Sequence, residues 1–287
     1  MNQFKTLFLI ACLTGLMVWI GDLLYPGGQG LLMALAIAVV MNFVSYFYSD
    51  KIVLASYGAR TLEQQDAPDL YLLVSRIAKA ANLPMPRLAL IEDATPNAFA
   101  TGRNPEHAVV AVTTGMLQIL NDAELEGVLA HEMGHVAHRD ILISSITSVL
   151  VQAIMFLSRM AMWVAPRDEE GRSNPIAGLL IAIFAPVSAM VLQLALSRSR
   201  EYLADEYSAQ VTGRPLELAN ALERISGINQ IQPMRDAQPA TAHMMIVNPL
   251  RGGGLMSLFS THPPMVARIE RLRALASGMY VRLSAIR

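Results

Sequence analysis

The chain contains one run whose residue types and spacing could do chemistry, His131-Glu132-Met133-Gly134-His135. Residues four apart on an α-helix share a face and are separated by a rise of about 6 Å. Two imidazoles placed that way can converge on one metal ion, and zinc takes nitrogen and oxygen ligands tetrahedrally at about 2 Å. Glu132 points about 100° round from His131, beside the metal, where it can take a proton from a water. The pattern is that of metal-assisted hydrolysis. The plainer alternative, a helix with two surface histidines, sits poorly with the apolar neighbours and the long apolar run that follows.

A third ligand has to come from elsewhere. His138 lies seven residues beyond His131, about 10.5 Å along a helix axis, too far for a metal held between His131 and His135. The acidic helix Arg200-Glu201-Tyr202-Leu203-Ala204-Asp205 is a better source. Glu201 and Asp205 share a face, so one could bind metal while the other orients a ligand imidazole. Spacing alone leaves Glu201, Asp205, Glu206 and Glu217 open.

The elements that must position these groups are legible around them. Asn121 with Glu124 three residues on forms a capping box, and Leu125, Val128, Leu129 and Met133 make one apolar stripe, which puts the His131–His135 run on a helix. Residues 68–81 form an amphipathic helix with Leu70, Leu73, Val74, Ile77 and Ala78 inward, ended by Asn82 and Pro84. Residues 87–91 and 108–113 form short strands, with a third at Asn97, Ala98, Phe99, Ala100 and Thr101. That third strand is a candidate edge beside the cleft, where an extended peptide could add by backbone pairing. Further helices cover 199–211, stopped by Gly213, and 215–228. A last helix begins at Pro263-Pro264 and runs through Leu272. Residues 230–260 read as loop. Gly134 allows another element to approach the metal-binding helix closely. The methionines read as packing residues.

Much of the remaining chain avoids water. Hydrophobic residues are 53% and charged residues 16% of 287, against about 25% charged in soluble domains. Four runs, 6–25, 30–48, 141–165 and 176–196, approach or exceed the roughly 20 residues that cross a bilayer. Lys5 ahead of the first run admits a signal-peptide reading. A second run close behind and the lack of a small-x-small cleavage site speak against it. Lys5, Lys51, Arg60, Arg139, Arg198 and Arg200 flank the runs on one side, which places both termini and the polar regions in the cytoplasm. Runs 141–165 and 176–196 could instead form an apolar hairpin packed on the polar domain. The expected division is a 1–48 transmembrane hairpin, 49–140 as the first part of the catalytic domain, 141–197 as a second hairpin, and 198–287 as the second part.

A net charge of −1 with no clustered basic face gives no sign of nucleic-acid binding. No GxxxxGK[ST] loop is present, so no ATP is expected as a partner. A single cysteine, Cys12, excludes an internal disulfide and a CxxC metal knuckle.

The two N-terminal spans, Asn97-Ala98-Phe99-Ala100-Thr101-Gly102, the His131–His135 run, the apolar hairpin, Glu201-x-x-x-Asp205 and Thr261-His262-Pro263-Pro264 occur in that order. Together they resemble the HtpX family of bacterial membrane zinc metalloproteases, relatives of the CAAX prenyl proteases, over nearly the whole chain. The resemblance implies a mainly α membrane protein, four transmembrane helices plus a cytoplasmic α+β metallopeptidase domain of the gluzincin type with a small sheet. It implies one Zn2+ per chain held by His131, His135 and Glu201, with Glu132 as general base. Asp205, His262 and Arg268 are candidates for orienting a ligand or stabilising an oxyanion. Expected partners are the lipid bilayer and membrane-protein or peptide substrates. The implied role is proteolytic quality control of damaged membrane proteins under stress, in the bacterial inner membrane. Family members often carry Asn-Gly-Asp after the metal-binding run; here it is His138-Arg139-Asp140. A hydrolase of small or lipid substrates and a scaffold with structural zinc are the rival readings. Glu132 speaks against the scaffold, which needs no base.

Overall fold

The protein is described here from a computed structural model that places residues 28–164, 198–231, 234, 237–249 and 262–278, together with 7, 8, 10, 11, 14, 15 and 18. The expected span at 176–196, the link before it, most of the span at 6–25 and Thr261 lie outside the described residues.

Helix α1, Gln29–Ser56, is the one described helix long and apolar enough to cross a membrane; only 17% of its most apolar stretch is buried. It continues beyond residue 48, where the apolar run ends. Its last turns stay helical because Val53, Leu54 and Tyr57 pack against one face of a small sheet. One narrow stripe, Ala34, Ala38, Ser45 and Ser49, is buried, on a helix that packs against α5, Asp140–Val164. The first half of α5 is buried in the protein, including Ser144, Ser145, Thr147 and Ser148.

The sheet holds four strands in the order β1-β2-β4-β3: β1 Arg60–Leu62, β2 Arg87–Ile91, β3 Ala98–Thr101 and β4 Val109–Thr113. β2 and β4 run parallel, and β1 and β3 pair antiparallel on the outside. Strand alternation sends Leu88, Leu90, Ala98, Ala100, Val110 and Val112 to the main core, and Ala89, Ile91, Phe99, Val109 and Ala111 to the α1 side. β1 has three residues and one buried side chain, Leu62, too short to show a period of two, and sequence reading missed it.

Helix α2, Pro68–Ala80, buries the same five apolar residues that its periodicity marks. A short α3, Thr114–Ile119, leads into α4, Asp122–Ala137. Helices α6, Arg198–Thr212, and α7, Pro215–Ile231, flank α4, and α8, Met265–Ala276, closes the core.

Candidate metal centre

The capping box at the start of α4 forms as its sequence dictates. The Asn121 side chain accepts from the Ala123 and Glu124 amides, and Glu124 accepts from the Asn121 N–H. Leu125, Val128, Leu129 and Met133 are buried, which turns His131 and His135 to one side. Gly134 fixes how near α6 comes: a Cβ there would lie 3.1 Å from the Ala204 Cα and 3.3 Å from its Cβ. Ser208 donates to the Gly127 carbonyl at 2.7 Å and locks the same two helices one turn further along. This close approach carries Glu201 to the histidines.

Ligand atoms of His131, His135 and Glu201 all lie within 4.8 Å of one another. Each histidine turns Nε2 toward Glu201, at 3.8 Å for His131 and 3.5 Å for His135. Their rings stand at 90° to each other. Two imidazole nitrogens and a carboxylate suit a divalent metal such as zinc, leaving room for a water. Asp205, Glu206 and Glu217 do not join this cluster among the described residues. Glu206 pairs with Arg271 instead.

The other nitrogen of each imidazole meets an aspartate. Nδ1 of His131 lies 2.9 Å from Asp205 Oδ1, and Nδ1 of His135 lies 3.3 Å from Asp140 Oδ2. Such contacts fix the ring and its tautomer so that Nε2 faces the metal. Each aspartate lies against an arginine; Arg268 is wholly buried and Arg200 partly buried. Arg268 donates from Nε and Nη2 to Asp205, at 2.9 and 2.7 Å. Arg200 reaches Asp140 at 3.4 Å and donates to Ser144 at 2.9 Å. Asp205 and Arg268 were candidates from sequence; Asp140 and Arg200 were missed. Asp140 is five residues beyond His135, and whether it reaches the ring depends on the turn between α4 and α5. Arg139 makes that turn at φ 58, a left-handed conformation that favours glycine, the residue the family pattern often has there.

Charge within the site is ordered by these contacts. Burial pushes the Glu132 carboxyl up to about 7, partly opposed by His135 and Arg268. Neither of its oxygens has an aligned hydrogen-bond partner, although the Ala100 N–H is directed at it. Glu201 is the opposite case. Burial raises its pKa, but His262, Arg268 and His135 outweigh burial and hold it well below the usual carboxylate range. Asp205 is likewise held low against burial by Arg268 and His131. Burial lowers the His131 pKa, opposed by Asp205, whereas Asp140, Glu201 and Glu132 raise that of His135 against burial.

His262 Nδ1 stands 3.2 Å from Glu201 Oε2, close enough for an ion pair but not aligned as a hydrogen bond. Arg268 is wholly buried, with Nη1 at 3.1 Å from the Ile246 carbonyl and 3.3 Å from Glu201. Its donors are committed to holding the site. His138 caps the C-terminus of α4 and stacks edge-on against Tyr207, with ring centroids 5.5 Å apart.

β3, the expected peptide-pairing strand, is at the end of the sheet and entirely buried. It sits beside α4 and α5, and its Thr101 hydroxyl shares a 2.7 Å hydrogen bond with Ser145.

Residues 64–276 match the model of peptidase family M48. The chain is 50% identical to a Protease HtpX homolog of Syntrophobacter fumaroxidans, over 96% of this chain and 99% of that protein. It is 51% identical to the Protease HtpX homolog of Pyrococcus furiosus, over 96% of each. The homolog from Burkholderia thailandensis is 50% identical over 96% of this chain and 97% of its own length. Among solved structures, the crystal structure of S. mikatae Ste24p superposes with a TM-score of 0.51 at 16% identity. That match covers 94% of this chain and 65% of Ste24p, and it shows a shared fold.

Proposed function

The chain belongs to peptidase family M48 and is a membrane metallopeptidase of the HtpX type, and on that premise we propose that it is a zinc endopeptidase with Glu132 as its general base. The observation that carries this reading is the convergence of His131, His135 and Glu201 beside a buried carboxylate without an aligned partner. A structural metal site has no use for such a group. A hydrolytic one needs a base with a pKa near the working pH.

The roles follow from position. His131, His135 and Glu201 would hold the zinc, which supplies a Lewis acid that polarises a carbonyl and lowers the pKa of a bound water. Asp205 and Asp140 keep the two Nε2 atoms aimed at the metal position. Glu132 accepts the proton of the attacking water and returns it to the leaving amine. Its burial keeps the carboxylate out of bulk solvent, so that proton exchange stays local. Glu201 stays ionised because His262 and Arg268 neutralise it. His262, buried next to Glu201 and without an aligned hydrogen bond of its own, is the donor placed to meet the oxyanion. Arg268 serves through Asp205.

β3 supplies the edge along which an extended peptide pairs. Backbone pairing tolerates varied sequences, which suits clearance of damaged membrane proteins. The membrane assignment beyond α1 rests on hydropathy and on flanking Lys and Arg residues. They support a multi-pass protein with the metal site facing the cytoplasm, and the resemblance to the HtpX family implies the inner membrane.

Cleavage of an unfolded membrane protein by zinc-loaded wild type and Glu132→Gln in detergent tests the reading. Cleavage should vanish in the variant while zinc stays at one per chain. Equal cleavage by both proteins would remove Glu132 from the role of base.

A further inference from the structure

β3 ends the sheet, yet its outer edge is not open. The Asn97 carbonyl accepts from the Thr113 N–H on the β4 side at 3.0 Å. Antiparallel alternation therefore turns the backbone groups of Ala98 and Ala100 away from β4, toward the metal centre. Ala100 directs its N–H at Glu132. The Ala98 carbonyl accepts a 3.0 Å hydrogen bond from the Ile246 N–H. The Asn97 side chain grips the next residue at both ends, donating to the Val247 carbonyl at 2.9 Å and approaching its N–H at 3.5 Å. Residue 246 meets the backbone of 98 and residue 247 the side chain of Asn97, so this bent segment runs opposite to β3 along its outer edge.

Residues 245–247 thus form a strap that stands where a peptide's backbone would stand. It is tethered upstream and at the strap itself. Upstream, Gln238 donates to the Ser56 carbonyl and Thr241 bonds the Tyr57 hydroxyl. His243 sets Nε2 3.3 Å from the Ser144 carbonyl on α5. At the strap itself, Arg268 donates to the Ile246 carbonyl, while its other nitrogens hold Asp205 and through it His131.

We infer that the strap is the resident occupant of the substrate edge, and that a peptide binds by exchanging its own backbone for Ile246 and Val247 at Ala98 and Asn97. This rests on the peptidase reading above and states how that site is kept closed. The exchange is cheap in hydrogen bonds. The Ala98 carbonyl and Asn97 amide, buried and costly to leave unpaired, are satisfied by the strap before binding and by the peptide after it. The resting enzyme therefore keeps the β3 edge covered, where a free edge would invite indiscriminate pairing. Arg268 links strap and imidazole, so release of the strap is felt at the metal centre.

Hydrogen exchange on zinc-loaded Glu132→Gln, with and without saturating amounts of a fluorogenic peptide that the wild type cleaves, tests the inference. The fragment containing residues 245–247 should exchange faster with peptide bound. Unchanged protection there, with the same peptide cleaved normally by the wild type, overturns the strap and leaves the peptidase standing. A chain that neither binds nor cleaves any peptide removes the peptidase reading and the strap with it. Independently, Ile246→Pro lacks the N–H that pairs with Ala98. It should keep its zinc and show kcat/KM raised about 2–10-fold, the factor that one hydrogen bond's net contribution corresponds to. A zinc-replete Ile246→Pro protein with lowered kcat/KM would count against displacement.

Discussion

Glu132→Gln should change how the stability of the metal-free protein depends on pH, and the size follows from the burial of Glu132. Its folded pKa of about 7 lies above the ordinary glutamate value of 4.5. Below pH 4.5 the carboxyl is protonated in both the folded and unfolded states and contributes nothing. Between the two values the folded state keeps a proton that the unfolded state has released, so stability falls as pH rises. Above about 7 the full cost is present. The interval corresponds to about 3 kcal/mol at about 1.4 kcal/mol per pH unit. For a domain of this size that is a Tm difference of roughly 6–12 °C. The glutamine amide is buried too, but its cost does not vary with pH. The readout is therefore the divergence between the two proteins, not their absolute order. Thermal unfolding in detergent with a zinc chelator, from pH 4 to pH 9, should show the wild type losing ground steadily between about 4.5 and 7. Parallel curves would refute the reasoning: they would mean that Glu132 is hydrated or partnered, and so not the dry base its surroundings imply.

Other expectations follow from the same geometry. Asp205→Asn and Asp140→Asn should each weaken zinc binding by about 10–100-fold, as loss of a contact behind a metal ligand commonly does; chelator competition measures this. Asp205→Asn should also cost about 3 kcal/mol of stability because it removes the nearer of the two carboxylates that face the buried Arg268 charge, and unchanged unfolding would contradict that. Gly134→Val should destabilise by about 1–3 kcal/mol and lower zinc occupancy, since the side chain meets the Ala204 backbone and pushes Glu201 away; thermal unfolding and metal analysis report both. Arg139→Gly should raise stability by about 1 kcal/mol by relieving a left-handed residue, visible as a higher Tm with unchanged cleavage.

Local chemistry made much of this protein legible in one dimension. The Asn121 cap, the apolar stripe of α4, the inward face of α2 and the stop at Gly213 depend on residues within a few positions of one another. Periodicity and capping report such features directly. For the same reason His131, Glu132 and His135 could be placed on one helix with the right spacing. α1 runs beyond its apolar stretch because its last turns are held by the sheet, not by their own hydropathy.

The rest of the site is assembled from distant segments. Spacing left Glu201, Asp205, Glu206 and Glu217 open and the family resemblance implied Glu201; the close packing of α4 on α6 at Gly134 is what carries it to the histidines. Asp140 reaches His135 because Arg139 turns the chain through a left-handed residue, which no periodicity encodes. Arg268 meets Asp205 and Ile246 across 63 and 22 residues of sequence. The strap on β3 spans 150 residues between Asn97 and Val247. The sequence by itself determined which helix could carry a metal and a base, because side chains three and four apart are neighbours wherever that helix lies. Only the tertiary structure decided how Glu201 and β3 reach that helix and that Asp140 and Arg200 brace it, because those contacts are made by packing between elements whose separation along the chain says nothing of their distance in space.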